Sequence, residues 1–232
     1  SSGSTAALVI GIFGVMAITS EYTTSAVQSS LTVNPRRGMF YATKSVATAL
    51  FALVAGIVGI LLAAGVLWLF TRGHDITALT SDQSRIIPVT LIGFPLTIVL
   101  VSLMAQGLGG MTRSTVGGVC ALIVLFMVLS SVLSITSMAI NQVEWLGTLS
   151  YLTPDTAMNH FLGAGIESSS QSTLAAAVKP NYWIPDWWQS GLILLAWAAA
   201  AWAGGLIVTK KSGHQVAMFS AAGLSPHKAI TP

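Results

Sequence analysis

Five apolar runs of membrane length contain no Asp, Glu, Lys, Arg or His. All ten Lys and Arg, all seven Asp and Glu and all four His lie between or beyond these runs. A helix needs about 20 apolar residues to cross the hydrocarbon core of a bilayer. The pattern therefore predicts an all-α, polytopic transmembrane helix bundle, whose spans are approximately Thr5–Ser20, Ser45–Phe70, Ile86–Gly110, Val116–Ser137 and Trp188–Thr209.

The composition indicates one transmembrane domain (1–232) rather than a string of soluble domains. Charged residues make up 7% of the chain, against about 25% in soluble proteins, and the mean hydropathy is +0.78. The segments between spans leave no room for a catalytic domain, and no phosphate-binding loop or zinc-protease motif is present. We therefore predict no enzymatic activity, no metal and no nucleic-acid partner. Cys120, the only cysteine, is predicted to be a small buried residue.

The uncharged spans also restrict the mechanism. Pumps and transporters driven by protons or ions usually carry an ionisable residue at membrane depth, where the ion is bound and released. None of the five runs has one. If this protein moves a substrate uphill, we expect the energy to enter from outside the membrane.

The distribution of Lys and Arg predicts the orientation of the bundle. Basic residues near span ends favour the cytoplasmic side, and they are most frequent in 21–44 and in the tail 210–232. Segment 111–115 carries one Arg, whereas 71–85 is neutral and 138–187 is acidic overall. This predicts a cytoplasmic C-terminus, with 138–187 outside. Five spans would place the N-terminus outside, and a sixth, upstream span would return it to the cytoplasm.

The segment Glu21–Lys44 has two interpretations from its residues alone. A weak apolar face on a polar stretch is compatible with a short helix lying along the membrane. Asn34-Pro35 ends that helix, because the residue before proline avoids the α conformation. Arg36 and Arg37 then form a basic turn, and Lys44 can reach the lipid headgroups. The segment is either a basic re-entry loop or a docking helix for a cytoplasmic partner.

The long external segment is predicted to contain one short helix, Tyr151–Gly165, with Pro154 in its first turn. The spacing of a metal site is not found among Glu144, Asp155, His160 and Asp186, and His160 is expected to be solvated. Tryptophans around the start of the last span predict an interfacial aromatic belt. Trp197 and Trp202, deeper in that span, are predicted to be packing residues.

Polar residues within the spans form two stripes. Ser130, Ser134 and Ser137 share one face of the fourth predicted span, and Ser102 and Gln106 share one face of the third. Inward-facing polar residues in membrane helices line translocation paths or join helices. Serine also forms hydrogen bonds with the backbone of its own helix. From the residues alone, these stripes either have a structural role or line a translocation path.

Three segments resemble the membrane subunit of bacterial, especially actinobacterial, ABC-2-type exporters. The first is ITSEYTTSAVQSSLTVNPRRGMFYATK, where the family's Glu-Tyr pair, Pro-Arg-Arg turn and Lys match Glu21, Tyr22, Pro35, Arg36, Arg37 and Lys44. The second and third are GLGGMTRSTVGGVCALIVLF and SYLTPDTAMNHF. Ser25 stands where many relatives have glycine, Thr153 adds a residue to the family's Tyr-Leu-Pro pattern, and the family has six spans.

The resemblance implies a half-transporter in the bacterial plasma membrane. Two permease subunits, identical or distinct, would pair in the membrane above two cytoplasmic ATPase subunits. ATP and Mg would bind to the ATPase and no cofactor to this chain. Residues 21–44 would form the coupling helix, started by Glu21 and Tyr22. Arg36 and Arg37 would pair with ATPase carboxylates or lipid phosphates, and Lys44 would set the depth of the next span.

Other functions are compatible with the same residues. A membrane scaffold without transport activity would show no nucleotide-dependent change. A secondary transporter using neutral polar residues would favour an inverted internal repeat, which is not evident in the sequence. An intramembrane enzyme is disfavoured because the spans lack charged or paired catalytic residues.

Overall fold

In a computed structural model, residues 37–72, 86–139, 144–164 and 183–221 are described, and most of them are helical. The long helices are α1 (Arg37–Thr71), α2 (Ile86–Thr112) and α7 (Trp187–Ala221). A further membrane-length rod is continuous through α3 (Thr115–Ile123), the π-helical turn π1 (Val124–Val128) and α4 (Leu129–Ala139). Two short helices, α5 (Glu144–Tyr151) and α6 (Pro154–Leu162), lie between the rod and α7.

Four helical segments are long and apolar enough to cross a membrane. They are Tyr41–Thr71, Ile87–Thr112, Val116–Leu133 and Trp187–Thr209. The prediction of a helical, membrane-embedded chain is confirmed for these four spans. The predicted span Thr5–Ser20 lies outside the described residues.

Helix α1 begins at Arg37, several residues before the apolar run that starts at Ser45. Apolar patterning marks only the part of a helix that suits hydrocarbon, whereas the backbone hydrogen bonds of α1 continue outwards through Lys44. Residues 37–44, which the sequence assigned to the joining segment, are therefore the first two turns of this helix. The remainder of that segment, 21–36, is outside the described part of the chain.

Helix α2 is the centre of the bundle and packs against α1, α3, α6 and α7. Helix α1 runs antiparallel to it, since Tyr41 lies at Gly110 while Gly56 lies at Pro95. Helix α7 runs parallel to it, since Gly107 lies at Ala201 while Gly110 lies at Gly205. The buried core joins side chains from α2, the rod, α6 and α7, and consists of Val101, Met104, Ala105, Leu122, Phe126, Met158, Leu194, Ala198 and Ala201.

Glycines bring α2 and α7 into backbone contact. A Cβ on Gly107 would meet the Ala201 carbonyl group and lie 2.6 Å from the Trp202 backbone nitrogen. A Cβ on Gly205 would lie 2.8 Å from the Gly107 oxygen. Small residues let membrane helices approach in this way, so that van der Waals contact replaces the missing hydrophobic force.

A tight turn at Arg113 joins α2 to the rod. Arg113 has a positive φ of 51°, and its backbone N–H donates to the Gly109 carbonyl at 2.9 Å. Its guanidinium Nη2 donates to the Val208 carbonyl of α7 at 3.4 Å. Ser114 caps α3 by accepting from the Gly117 N–H. The predicted short, arginine-containing connection is therefore present, and it fastens α2 to α7.

Candidate functional site

Helices α5 and α6 form a hairpin that packs into the bundle, with α5 against α4 and α6 against α2, π1 and α7. Trp197 Nε1 donates to the carbonyl oxygen of Leu152, in the turn of the hairpin, at 2.9 Å. Trp197 is ten residues into α7, about 15 Å along the helix at 1.5 Å per residue, and lies inside the apolar span. The predicted helix with Pro154 in its first turn is confirmed, but α5 and the depth of the turn were not predicted.

The ascending helix α6 is held between α2 and α7. Ala157 and Met158 are buried, and Met158 belongs to the bundle core. The Phe161 ring fills the space left by two glycines, since a Cβ would lie 3.1 Å from it on Gly93 and 2.9 Å from it on Gly191. The same ring stacks against Trp187 at 6.2 Å between centroids. These contacts close the Trp187 end of the bundle.

His160 of α6 is part of this packing, so the expectation that it is solvated is wrong. Its Nδ1 lies 3.1 Å from Ser190 Oγ, and its ring meets the Tyr151 ring edge-on at 5.9 Å. Ser190 is fully buried and also donates to the Asp186 carbonyl. Two helices far apart in sequence are joined here by polar contacts, which no local pattern around His160 predicts.

The π-helical turn π1 interrupts the third described span beside the hairpin. Its residue Phe126 is buried in the core with Met158 of α6. One-turn π-helices inside α-helices are frequently found at functional sites. The span therefore changes its helical register at the level where the hairpin packs against it.

The stripe of Ser102 and Gln106 lies on the side of α2 that packs against α1. Pro95, which contacts Gly56 of α1, precedes Gln106 by eleven residues, which is three helical turns. Ser102 and Gln106 are both buried, at 1% and 0% exposure. Ser102 Oγ donates to the Val99 carbonyl. Neither polar atom of the Gln106 amide has a hydrogen-bond partner within the described structure.

Ser130 is on a different side of the bundle. It follows Phe126 by four residues, is 8% exposed, and its Oγ has no partner among the described residues. Ser134 and Ser137 are in α4, but their side chains are outside the described part. Helix α4, which carries Ser130, is not among the helices that pack against α2, so the structure does not bring Ser130 together with Ser102 and Gln106.

Of the residues proposed to contact an ATPase, only two are in the described helices. Arg37 is the first residue of α1, and the Nζ atom of Lys44 is buried. Glu21, Tyr22, Pro35 and Arg36 lie outside the described residues. Cys120 is exposed on the outside of the rod, so its predicted burial is wrong, because a membrane helix presents apolar residues to lipid as well as to its neighbours.

The described residues contain no group of three or more His, Cys, Asp or Glu side chains that could hold a metal ion. Comparison of the chain with known protein families, curated proteins and solved structures finds no match. The function is therefore argued from the geometry and from the motifs quoted above.

Replacing Gln106 by leucine is expected to raise the free energy of unfolding by about 1–3 kcal/mol. A buried amide without hydrogen bonds carries a desolvation cost of that size, and leucine has none. The measurement is thermal or denaturant unfolding of the purified protein in detergent. The matched control is Gln189→Leu, which should destabilise, because Gln189 Oε1 accepts from the Asp186 N–H at 2.8 Å. A loss of stability in Gln106→Leu would contradict the orphaned state of the amide.

Proposed function

We propose that this chain is the membrane-spanning permease subunit of an ATP-driven ABC-2-type exporter. It works with a second permease subunit and with separate cytoplasmic ATPase subunits, which bind ATP and Mg, in the plasma membrane of a bacterium, with its C-terminus in the cytoplasm. The observation that carries the proposal is the hairpin α5–α6, whose turn reaches Trp197 inside the membrane-length part of α7.

Non-helical backbone at membrane depth leaves peptide groups without intrahelical partners. It is tolerated where the backbone is buried in protein or lines a cavity, as in transporters and channels. The hairpin turn here is covered by α7, and Thr153 in it is 2% exposed. A scaffold needs only plain spanning helices, so an inserted hairpin favours a protein whose outer end opens and closes.

The energy source is argued from the charges. Apart from Lys44 in the first turn of Tyr41–Thr71, the four spans Tyr41–Thr71, Ile87–Thr112, Val116–Leu133 and Trp187–Thr209 contain no Asp, Glu, Lys, Arg or His. A proton or ion gradient has no ionisable side chain to act on in the middle of these spans. Energy supplied by a cytoplasmic ATPase is consistent with this composition and with the Glu-Tyr and Pro-Arg-Arg motifs.

The proposed translocation path uses the buried polar residues Ser102, Gln106, Ser130, Ser134 and Ser137. In the described state Gln106 is enclosed between α2 and α1. A movement of α1 away from α2 would give the amide access to water or substrate. Because α1 starts at Arg37, directly after the Pro35-Arg36 motif, a push from the ATPase on Glu21–Lys44 would be transmitted to α1 first.

Charge reversal at Arg36 and Arg37 tests the proposal. The full-length protein is purified in mild detergent from its native host, and its partners are identified. We expect an ATPase at about one-to-one stoichiometry with the wild type, and its loss from the variant Arg36→Glu/Arg37→Glu. Stimulation of the ATPase by the permease should be lost in parallel.

The matched control is Arg72→Glu, a charge reversal at the other end of α1. The Arg72 guanidinium lies 3.6 Å from the Trp68 ring centroid, away from the proposed docking segment. This variant should retain the ATPase. Purification of the wild type without an ATPase would reject the exporter, and equal retention in both variants would reject the docking role of Arg36 and Arg37.

A further inference from the structure

A groove of about 390 Å³ runs between α1 and α7, with α2 as its floor. Small residues on both walls, including Ala49 and Ala199, leave the space, and Leu100 and Leu103 of α2 form the base. The lining is apolar along nearly its whole length. The rims remain uncovered, since Val46 is 59% and Leu195 is 51% exposed.

An interhelical hydrogen bond joins the two walls of the groove towards the Arg37 end of α1. Trp202 Nε1 of α7 donates to Ser45 Oγ of α1 at 2.8 Å, and the rings of Trp202 and Tyr41 lie 5.8 Å apart. The Trp202 N–H and the Ser45 hydroxyl are thereby satisfied, since Ser45 Oγ also donates to the Tyr41 carbonyl at 2.8 Å. The groove offers a ligand apolar contact along its length and no polar anchor inside it, which suits a hydrocarbon chain.

Beyond this bond, both helices carry basic residues. Helix α1 starts at Arg37, about 7 Å from Ala42 of the lining, and Lys210 of α7 is about 12 Å beyond Trp202 at 1.5 Å per residue. Lys210 follows Ala199 by eleven residues, so both occupy the same face of α7. Lys211 comes next, and neither α1 nor α7 contains an Asp or Glu.

We infer that the groove binds one acyl chain of an anionic phospholipid from the leaflet at the Arg37 end. The chain occupies the apolar groove, and the phosphate lies in the basic zone near Arg37, Lys210 and Lys211. The apolar lining favours the hydrocarbon chain, and the positive charge of two helices that contain no Asp or Glu favours the anionic headgroup. A bound lipid of this kind covers the gap that α1 and α7 leave between them.

Photolabelling tests the inference. The full-length protein is reconstituted in phosphatidylcholine vesicles that contain a small, equal fraction of phosphatidylglycerol or phosphatidylcholine with a diazirine in the acyl chain. After illumination, adducts are located by peptide mass spectrometry. Each basic residue near a surface favours anionic lipid by about 1 kcal/mol, which is roughly fivefold. We expect adducts in 42–49 and 195–202 that favour phosphatidylglycerol on the order of tenfold.

Two sets of variants separate a groove site from ordinary lipid contact. Ala199→Phe fills the groove and should remove most of this labelling, whereas Ala200→Phe, on an exposed position outside the lining, should leave it unchanged. Ala49→Phe, from the opposite wall, provides a second block if Ala199→Phe has a reduced helical circular dichroism signal. Lys210→Gln/Lys211→Gln should lower the preference for phosphatidylglycerol to at most the roughly fivefold that Arg37 alone provides.

Three results would overturn the inference. Equal labelling by the two lipids would show that the site does not select an anionic headgroup. Unchanged labelling in both Ala199→Phe and Ala49→Phe would place the lipid outside the groove. The wild type could also show no lipid adducts in the groove while the variant Ala199→Cys forms cross-links to protein. That result would mean that another helix or a second copy of the chain occupies the groove.

Discussion

Substitution of Gly107 by alanine is expected to lower the free energy of unfolding by about 3 kcal/mol, the upper part of the range for overpacking. The added methyl group would meet backbone atoms of Ala201 and Trp202 in α7. Backbone in a helix cannot rotate away as a flexible side chain can. Helices α2 and α7 must therefore separate, and the contacts around Gly110 and Gly205 are weakened with them.

The measurement is unfolding of the purified variant in detergent, with a fluorescence or steric-trapping readout. The control is Gly65→Ala in α1, where an added Cβ meets no atom within 4 Å. That variant should be neutral or slightly stabilising, since alanine favours helix over glycine by up to about 1 kcal/mol. Equal effects of the two substitutions would mean that the close approach of α2 and α7 does not contribute to stability.

Truncation of Phe161 to alanine is expected to release the hairpin from the bundle. The ring lies between Gly93 and Gly191 and against Trp187, and alanine would leave a cavity there. Burial in lipid provides no hydrophobic gain, so the loss is mainly of van der Waals contact. Because the ring is only half-buried, we expect the free energy of unfolding to fall by about 3 kcal/mol, the lower end of the range for Phe→Ala substitutions.

Hydrogen exchange provides a direct measurement, because release of the hairpin should increase amide exchange in α5 and α6 more than in α2. The control is Phe70→Ala in α1, where the side chain is 75% exposed and the expected change in stability is near zero. Phe161→Leu should fall between wild type and alanine. Unaltered exchange in Phe161→Ala would show that Trp197 and Met158 hold the hairpin without the ring.

Gly107→Ala and Phe161→Ala should have different effects on the proposed transport cycle. If the hairpin closes the outer end of an exporter, Phe161→Ala should also uncouple ATP hydrolysis from transport, whereas Gly107→Ala should lower the amount of folded protein. Measuring ATPase activity per folded molecule distinguishes these outcomes.

Local residue patterns were sufficient for the spans but not for the hairpin. Twenty apolar residues without a charge can satisfy their backbone only as a helix in the membrane, wherever their neighbours are. The charge distribution predicts that 138–187 lies outside, but it does not predict how the stretch around Asp155, Asn159 and His160 packs. That packing depends on Met158, Phe161 and Trp197, whose partners are distant in the chain, so no periodicity within the stretch indicates it.

For the polar and small residues in the spans, too, sequence spacing predicts the positions on each helix but not the contacts between helices. Sequence spacing identified the stripe of Ser102 and Gln106 and the helical spacing of glycines, because both depend on 3.6 residues per turn alone. Which helix each face meets is a property of the packed bundle. Only the tertiary structure placed Gln106 against α1, Ser130 on another side and Gly107 against Ala201, because helix pairing is decided by the shape of surfaces that come from separate parts of the chain.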